Sequence, residues 1–199
     1  SKPAYLFLSH VHLDHIIGLH TLDKFDFIHD LHVFGYKGVK RALENLIRHP
    51  YSAPFERLSY EIRIHEVDEG MNHFPLDFKC RLLEHSDPCL GYRFRIGSRT
   101  ITYCTDTGRC ENVLKLSREA DLLISECSFK SGQHDSSWPH LTPEDAAKIA
   151  SDSGVTQLAL THFDANVYKS FEERNEAERI AKKIFSNTIA VRDGQHITL

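Results

Sequence analysis

The order of strand and helix signals along the chain constrains its fold more than any other feature. Strands come first: short apolar runs such as Ala4 to Leu8, and segments that alternate apolar and polar residues, predict several of them. Gly97-Ser98 predicts a hairpin turn between two of these strands. Predicted helices then alternate with buried strands, and Asp193-Gly194 predicts a turn into a final strand. This order predicts α/β layers in which helices cover sheets.

Helix signals are clearest near the end of the chain. Thr142, with Asp145 three residues further on, predicts a capped helix start, and Ser170 with Glu173 predicts a capping box. Nearer the start, the mixed apolar segment from Ile16 to Phe27 predicts a short helix. The sequence therefore predicts helices both early in the chain and near its end.

Composition places the chain among ordinary globular proteins. Of its 199 residues, 41% are hydrophobic and 26% are charged, which excludes disorder along the whole chain. No linker, repeat or low-complexity run divides it, so we expect a single domain over residues 1–199. No apolar stretch is long enough to span a membrane, and Ser1-Lys2-Pro3 does not begin a signal peptide. The net charge of −4 lacks the basic excess that indicates a nucleic-acid partner.

The cysteines bear on the compartment. There are five of them, and none forms a CxxC pair. This spacing is typical neither of a disulfide framework nor of a cysteine-based zinc site. We therefore expect a reducing, cytoplasmic compartment. The five are Cys80, Cys89, Cys104, Cys110 and Cys127.

Histidine is the unusual residue of this chain, at 14 of 199 residues. Neutral imidazole is a common ligand of transition metals, and histidine is a common proton carrier. The densest cluster follows the first predicted strand and reads Ser9-His10-Val11-His12-Leu13-Asp14-His15. In an extended segment the side chains at i and i+2 face the same way, so His10, His12 and Asp14 can converge. A turn at Asp14 would let His15 reach a second position.

Three further candidate ligands follow the ends of predicted strands, where loops carry chemistry on a rigid scaffold. His85 follows the strand that ends near Leu83, and Asp106 follows the strand that ends near Cys104. His162 follows the buried run Gln157 to Leu160. Together with the His-rich loop, these residues indicate a metal site.

The pattern His-x-His-x-Asp-His, a later His, an Asp in Thr105-Asp106-Thr107-Gly108 and a final Thr161-His162-Phe163 resembles the metallo-β-lactamase superfamily. The resemblance implies an αββα sandwich with a dinuclear centre. The two divalent metal ions are usually zinc, and Mn²⁺ or Fe also suit His and Asp ligands. The implied ligands are His10, His12 and His85 for one metal, and Asp14, His15 and His162 for the other, with Asp106 as the bridge.

A second set of motifs narrows the branch. Glu126 in Ser125-Glu126-Cys127-Ser128 and His140 in Trp138-Pro139-His140-Leu141-Thr142 are similar to the ribonuclease Z-like phosphodiesterases. In that branch the first segment usually reads His-Glu-Ala-Thr, so Glu126 alone carries the match there. The resemblance implies that His140 contacts phosphate and protonates the leaving oxygen, while Glu126 orients it. The candidate catalytic residues are therefore Asp14, also a metal ligand, together with Glu126 and His140.

Family members carry several sheet strands before the His-rich loop, whereas this chain begins at the strand that delivers the motif. The predicted sandwich therefore lacks its N-terminal strands. An exposed sheet edge would follow, and a homodimer is one way to cover such an edge.

The favoured hypothesis is a metal-dependent phosphodiesterase that acts on small or nucleotide-like diesters. The first alternative is ribonuclease Z, which processes the 3′ end of precursor tRNA. We find no protruding basic arm between His15 and His85, and the acidic balance makes a tRNA partner the less favoured one. The second alternative is a metal-binding module without catalysis. Lactonase or β-lactamase chemistry fits the sequence around His140 less well, and we expect no membrane partner.

Overall fold

The computed structural model of the chain describes residues 3–27 and 29–199. Ser1 and Lys2, where the sequence predicts that no signal peptide begins, lie outside the described residues. The chain divides into two compact units, a first unit of Ser1–Asp68 and a second unit of Glu69–Leu199. The single domain expected over residues 1–199 stays a prediction. Within the described residues, none of the helices is long and apolar enough to cross a membrane.

The first unit contains a parallel three-stranded sheet in the order β1-β2-β3. Its strands are Ala4–Phe7 (β1), Leu31–Gly35 (β2) and Ile62–Glu66 (β3). Helices lie in the connections: Leu13–Ile16 (α1), the 3₁₀ helix Ile17–Lys24, Val39–Leu46 (α2) and the 3₁₀ helix Phe55–Arg57. The core of this unit includes Leu8, Val33, Val39 and Leu43.

The helix predicted from Ile16 to Phe27 takes a different form from the one expected. The α-helix ends at Ile16, and the segment continues as the 3₁₀ helix Ile17–Lys24. Gly18 lowers the helix propensity of this segment, and the Thr21 hydroxyl donates to the Gly18 carbonyl at 2.7 Å. Both features favour the tighter 3₁₀ geometry over a regular α-helix.

The second unit is built on a seven-stranded mixed sheet in the order β10-β9-β8-β7-β6-β5-β4. Strands β4 to β7 pair antiparallel, and β7 to β10 pair parallel. The strands are Gly70–Asn72 (β4), Phe78–Leu82 (β5), Leu90–Ile96 (β6), Arg99–Cys104 (β7), Leu122–Glu126 (β8), Gln157–Thr161 (β9) and Thr188–Ala190 (β10). The predicted hairpin at Gly97-Ser98 is present, and Gly97 takes the positive φ of 62° that such a turn requires.

Three helices of the second unit connect its strands: Glu111–Ser117 (α3), Pro143–Ser153 (α4) and Phe171–Lys182 (α5). Both predicted capping motifs are confirmed. The Thr142 side chain accepts from the Asp145 backbone N–H at 3.2 Å, and the Ser170 side chain accepts from that of Glu173 at 3.3 Å. Helix α3 is the next element after β7 and α4 the next after β8, so the two strand-to-helix loops, residues 105–110 and 127–142, begin at the same edge of the sheet.

The final strand was predicted in the wrong place. Asp193-Gly194 does form a turn, with Gly194 at φ 76°, but the last strand, β10, comes before it. β10 pairs parallel to β9 after the crossover through α5, and that pairing buries Thr188 and Ala190. The residues after the turn form no ladder. Both units combine helices with strands, so the predicted α/β class is confirmed.

Candidate metal centre

The His-rich loop of the first unit leaves β1 and turns at once into α1. His10 is fully buried, and its ring centroid lies 4.5 Å from that of His12 and 4.2 Å from that of His15. Asp14 Oδ2 lies 3.3 Å from His15 Nε2. Helix α1 begins at Leu13, which supplies the turn that brings His15 back towards His10. The first unit therefore gathers three imidazoles and one carboxylate.

The second unit presents its polar residues at one edge of the sheet. β7, β8 and β9 are adjacent and parallel, and Asp106, Glu126 and His162 stand at or just past their carboxyl ends. β5 runs in the same direction as β7, because each pairs antiparallel with β6, and His85 follows it. Parallel strands end at the same edge, so the topology explains why residues far apart in sequence meet there.

Asp106 and His162 are in direct contact. His162 Nε2 lies 3.2 Å from Asp106 Oδ1, and the other oxygen of Asp106 accepts the Thr105 hydroxyl at 2.7 Å. Both residues have left-handed backbones, with φ of 52° for Asp106 and 49° for His162. Non-glycine residues pay a conformational cost in this region, and such residues cluster at functional sites. Three non-glycine residues of the described chain have positive φ, and two of the three are predicted ligands; the third is Glu119.

Ser128 determines which nitrogen of His162 carries the proton. The Ser128 hydroxyl donates to the His162 carbonyl at 2.8 Å and lies 3.0 Å from His162 Nδ1. Since the hydroxyl has a single proton, which the carbonyl takes, it accepts from Nδ1–H. Nε2 therefore keeps its lone pair on the side of Asp106, which is the tautomer that a metal-binding histidine needs.

Glu126 organises the residues around it. Its fully buried carboxylate accepts the backbone N–H groups of Thr107 at 2.6 Å and of Ser128 and Leu141, each at 3.2 Å. Its Oε1 lies 2.8 Å from His140 Nδ1. The pairing of Glu126 with His140 that the resemblance implied is therefore present. Because Nδ1 faces Glu126, Nε2 of His140 faces away from it.

Two pKa values show how this environment acts on ionisable groups. Burial lowers the pKa of His140, but the hydrogen bond to Glu126 and its negative charge outweigh burial, so the pKa of His140 is raised. Burial raises the pKa of the Cys127 thiol to about 12. Cys127 is therefore a neutral thiol near pH 7, and thiolate chemistry at this position is excluded.

The donor set of the second unit fits a divalent metal ion. Asp106, His140 and His162 each offer a ligand atom, and these atoms lie within 4.8 Å of one another. The His85 ring centroid is 5.6 Å from that of His140. Imidazole and carboxylate ligands suit zinc, manganese and iron. Of the seven predicted ligands, four belong to the first unit and three to the second.

Sequence reasoning missed two contributors to this site. Ser128 is 2% exposed and orients His162, and Trp138 contacts the rings of His85 and His140. Ser128 was visible only as a departure from the usual family segment around Glu126. Its role depends on the pairing of β8 with β9, which places it beside His162. Trp138 begins the segment that carries His140, but no local pattern indicates its contact with His85.

Comparison with known protein families identifies the superfamily of this chain. The family model described as the β-lactamase superfamily domain matches residues 1–163, and the chain belongs to that superfamily. Ribonuclease Z of Lactiplantibacillus plantarum is 26% identical to this chain, covering 96% of it and 79% of that protein. The α/β fold of metallo-β-lactamase type and the likeness to the ribonuclease Z-like branch are thus both confirmed.

A Bacillus subtilis protein is similar in both sequence and structure. The probable metallo-hydrolase YhfI is 27% identical, covering 92% of this chain and 73% of that protein. The crystal structure of YhfI matches with a TM-score of 0.75 at 25% identity, covering 94% of this chain and 73% of that one. The short form of human tRNase Z shares the fold, with a TM-score of 0.65 at 23% identity over 82% of this chain and 73% of that one.

Proposed function

We propose that this chain is a metal-dependent phosphodiesterase that cleaves small or nucleotide-like phosphodiesters. The observation that carries the proposal is the pairing of Glu126 with His140, 2.8 Å apart, beside the cluster of Asp106 and His162. A metal-dependent hydrolase of an activated substrate needs only its metal ligands. A histidine positioned by a buried carboxylate adds a proton donor, which the cleavage of an unactivated diester requires.

The proposed metal ligands are the seven that the resemblance implies, and the ions are two divalent metals, with zinc favoured over Mn²⁺ or Fe. When bound, such ions act as Lewis acids and activate water. The chain contributes the ligand atoms and holds their tautomers, as Ser128 does for His162. We assign Asp14 to the catalytic set as well as to the metal. The seven are His10, His12, Asp14, His15, His85, Asp106 and His162.

His140 is the proposed proton donor to the leaving oxygen. Its Nδ1 is held by Glu126, so Nε2 is the atom that meets a substrate. The side chain of His140 is only 6% exposed, which limits competition from bulk water for its hydrogen bonds. Glu126 acts through His140 and is a positioning residue in this scheme. Its three backbone donors fix it so firmly that the histidine has little freedom to turn.

The similarity to ribonuclease Z supports phosphodiester chemistry, because a ribonuclease cleaves phosphodiester bonds.

We also infer a reducing, cytoplasmic compartment, because all five cysteines are free thiols and four of them are buried.

A second candidate function, the processing of RNA, is favoured by one basic surface of the second unit, which lies at the sheet edge opposite Asp106 and His162, by the start of β7. A cleft of about 570 Å³ is lined by five basic side chains against two acidic ones. Lys79, Arg95 and Arg118 form no salt bridge with any described residue, so their charges remain available to phosphates. The other basic residues are Arg93, which donates to the carbonyls of Leu116 and Arg118, and Lys115, which pairs with Glu111.

Substrate comparison tests the proposal. The metal-loaded protein should hydrolyse bis(p-nitrophenyl) phosphate and cyclic nucleotides, and it should leave a chromogenic β-lactam intact. Turnover of β-lactams or thioesters without any diesterase activity would contradict the proposal. Cleavage of precursor tRNA at its 3′ trailer, lost when Lys79, Arg95 and Arg118 are changed together to alanine, would establish the second candidate instead.

Ser128→Ala is expected to weaken zinc binding. The variant removes the acceptor that holds the Nδ1 proton of His162, and changes to such outer partners typically cost about 10–100-fold in metal affinity. Competition with a chromophoric chelator measures the affinity. Ser131→Ala changes an exposed serine in the neighbouring loop and should leave the affinity as it is. Equal affinities in the two variants would refute the orienting role of Ser128.

A further inference from the structure

Trp138 stands beside the candidate catalytic histidine and is nevertheless exposed. Its indole ring lies 5.5 Å from His85, edge to face, and 5.8 Å from His140, measured between ring centroids. It is 44% exposed, and every residue of the preceding segment from 131 to 137 is exposed too. Trp138 thus contacts the histidines of the site and is also exposed at the protein surface.

The position of Trp138 is fixed from the side of the preceding loop. Asp135 Oδ1 accepts the backbone N–H of Ser137 at 2.8 Å, its hydroxyl at 2.6 Å and the backbone N–H of Trp138 at 3.3 Å. These hydrogen bonds, that of the Ser137 hydroxyl foremost, lower the pKa of Asp135, because they stabilise its charged form. The turn therefore holds the tryptophan backbone in place.

The following residues are fixed as well. Pro139 packs so closely against Gly108 that a Cβ on Gly108 would lie 3.0 Å from the Cβ of Pro139. The His140 ring and the Leu141 N–H are both held by Glu126. Trp138 is anchored on both sides, so a ligand that stacks on it need not order a loop first. Such preorganisation favours binding.

We propose that Trp138 is a stacking platform for the base of a nucleotide whose phosphate lies at His140. This inference rests on the proposed phosphodiesterase function and names its substrate class: diesters that carry a nucleobase next to the scissile phosphate. Aromatic side chains bind bases through their π-faces with little preference among sequences. Trp138 is thus a specificity-determining residue, and it takes no part in proton transfer.

The test uses two ligands that differ only in the base, AMP and ribose 5-phosphate, with the zinc-loaded protein. Isothermal titration calorimetry should show that AMP binds about 5–150-fold more tightly than ribose 5-phosphate, the equivalent of one stacked base. Trp138→Ala should remove that advantage and leave ribose 5-phosphate binding unchanged. Trp138→Phe should retain most of it. Tyr51→Ala, which removes an aromatic side chain that is 74% exposed, should bind AMP as the unchanged protein does.

Tryptophan fluorescence gives an independent measurement of AMP binding, because Trp138 is the only tryptophan in the sequence. AMP should quench its emission with the dissociation constant found by calorimetry, and ribose 5-phosphate should leave the emission unchanged. Equal weakening of both ligands in Trp138→Ala, or no weakening of either, would overturn the platform. If diesters are hydrolysed but AMP fails to quench, the platform is wrong and the phosphodiesterase stands. If AMP quenches but no diester is cleaved, the proposed function is wrong and the platform stands.

Discussion

Replacing Asp106 by alanine is expected to abolish metal binding and hydrolysis together. Asp106 is 3% exposed, its Oδ1 lies 3.2 Å from His162 Nε2, and its Oδ2 is held by the Thr105 hydroxyl. In the proposed site Asp106 would be a ligand of both metal ions, so its loss would affect both. Changes to outer partners alone cost about 10–100-fold in affinity or activity, and the loss of a bridging ligand should exceed that range.

Elemental analysis of the purified variant and its rate on bis(p-nitrophenyl) phosphate measure the two effects. Asp152→Ala is the matched control, since it removes an exposed carboxylate whose only salt bridge with a described residue, Arg109, lies on the surface. Such a pair contributes at most about 1 kcal/mol to the free energy of unfolding, so metal and activity should both persist. An Asp106→Ala protein with full metal content and full activity would remove Asp106 from the centre.

Replacing His140 by alanine is expected to keep the metals and to discriminate between leaving groups. Negative charge grows on the departing oxygen as the diester breaks. A ribose alkoxide needs a proton at that moment, whereas p-nitrophenolate barely does. The variant should lose about 10²–10⁴-fold on diesters with alkoxide leaving groups, and about tenfold or less on the nitrophenyl ester. Rates for the two substrate types, with metal content measured in parallel, test this expectation.

Other outcomes with His140→Ala have distinct meanings. Equal losses on both substrate types would assign His140 to phosphate binding. Lost metal would make it a ligand, which its place within 4.8 Å of the ligand atoms of Asp106 and His162 allows. His134→Ala changes an exposed histidine of the preceding loop and should behave as the unchanged protein does. To test the role of Glu126 in holding His140, glutamine is the suitable replacement. Alanine at this position would leave three buried backbone N–H groups without their acceptor.

Local signals explain which parts of the fold were predictable. The helix starts at Thr142 and Ser170 and the turn at Gly97-Ser98 each depend on residues within three positions of one another, and all three are confirmed. The last strand depends on which segment lies beside β9, and that pairing is set by the crossover through α5. Thr188–Ala190 has too few residues to show an alternation. A turn signal such as Asp193-Gly194 indicates where the chain bends but cannot show on which side the strand lies.

The candidate site likewise contains residues that local signals could predict and residues that they could not. Three candidate metal ligands could be predicted because each follows a predicted strand, and parallel strands end at the same edge of a sheet. These three are His85, Asp106 and His162. Ser128 and Trp138 act through tertiary contacts with residues that lie 34 positions from Ser128 and 53 from Trp138 along the chain. No spacing rule connects such residues. The roles of the seven ligands remain predictions that only metal-bound protein can test.

Metal titration of the chelator-treated protein tests the central claim most directly. Zinc is added in steps, and both bound metal and hydrolysis of bis(p-nitrophenyl) phosphate are measured at each step. We expect activity to be absent without metal, to rise as zinc binds and to reach its plateau at about two equivalents per chain. Diester hydrolysis that persists in the metal-free protein, or a fully loaded protein that cleaves no diester, would contradict the account.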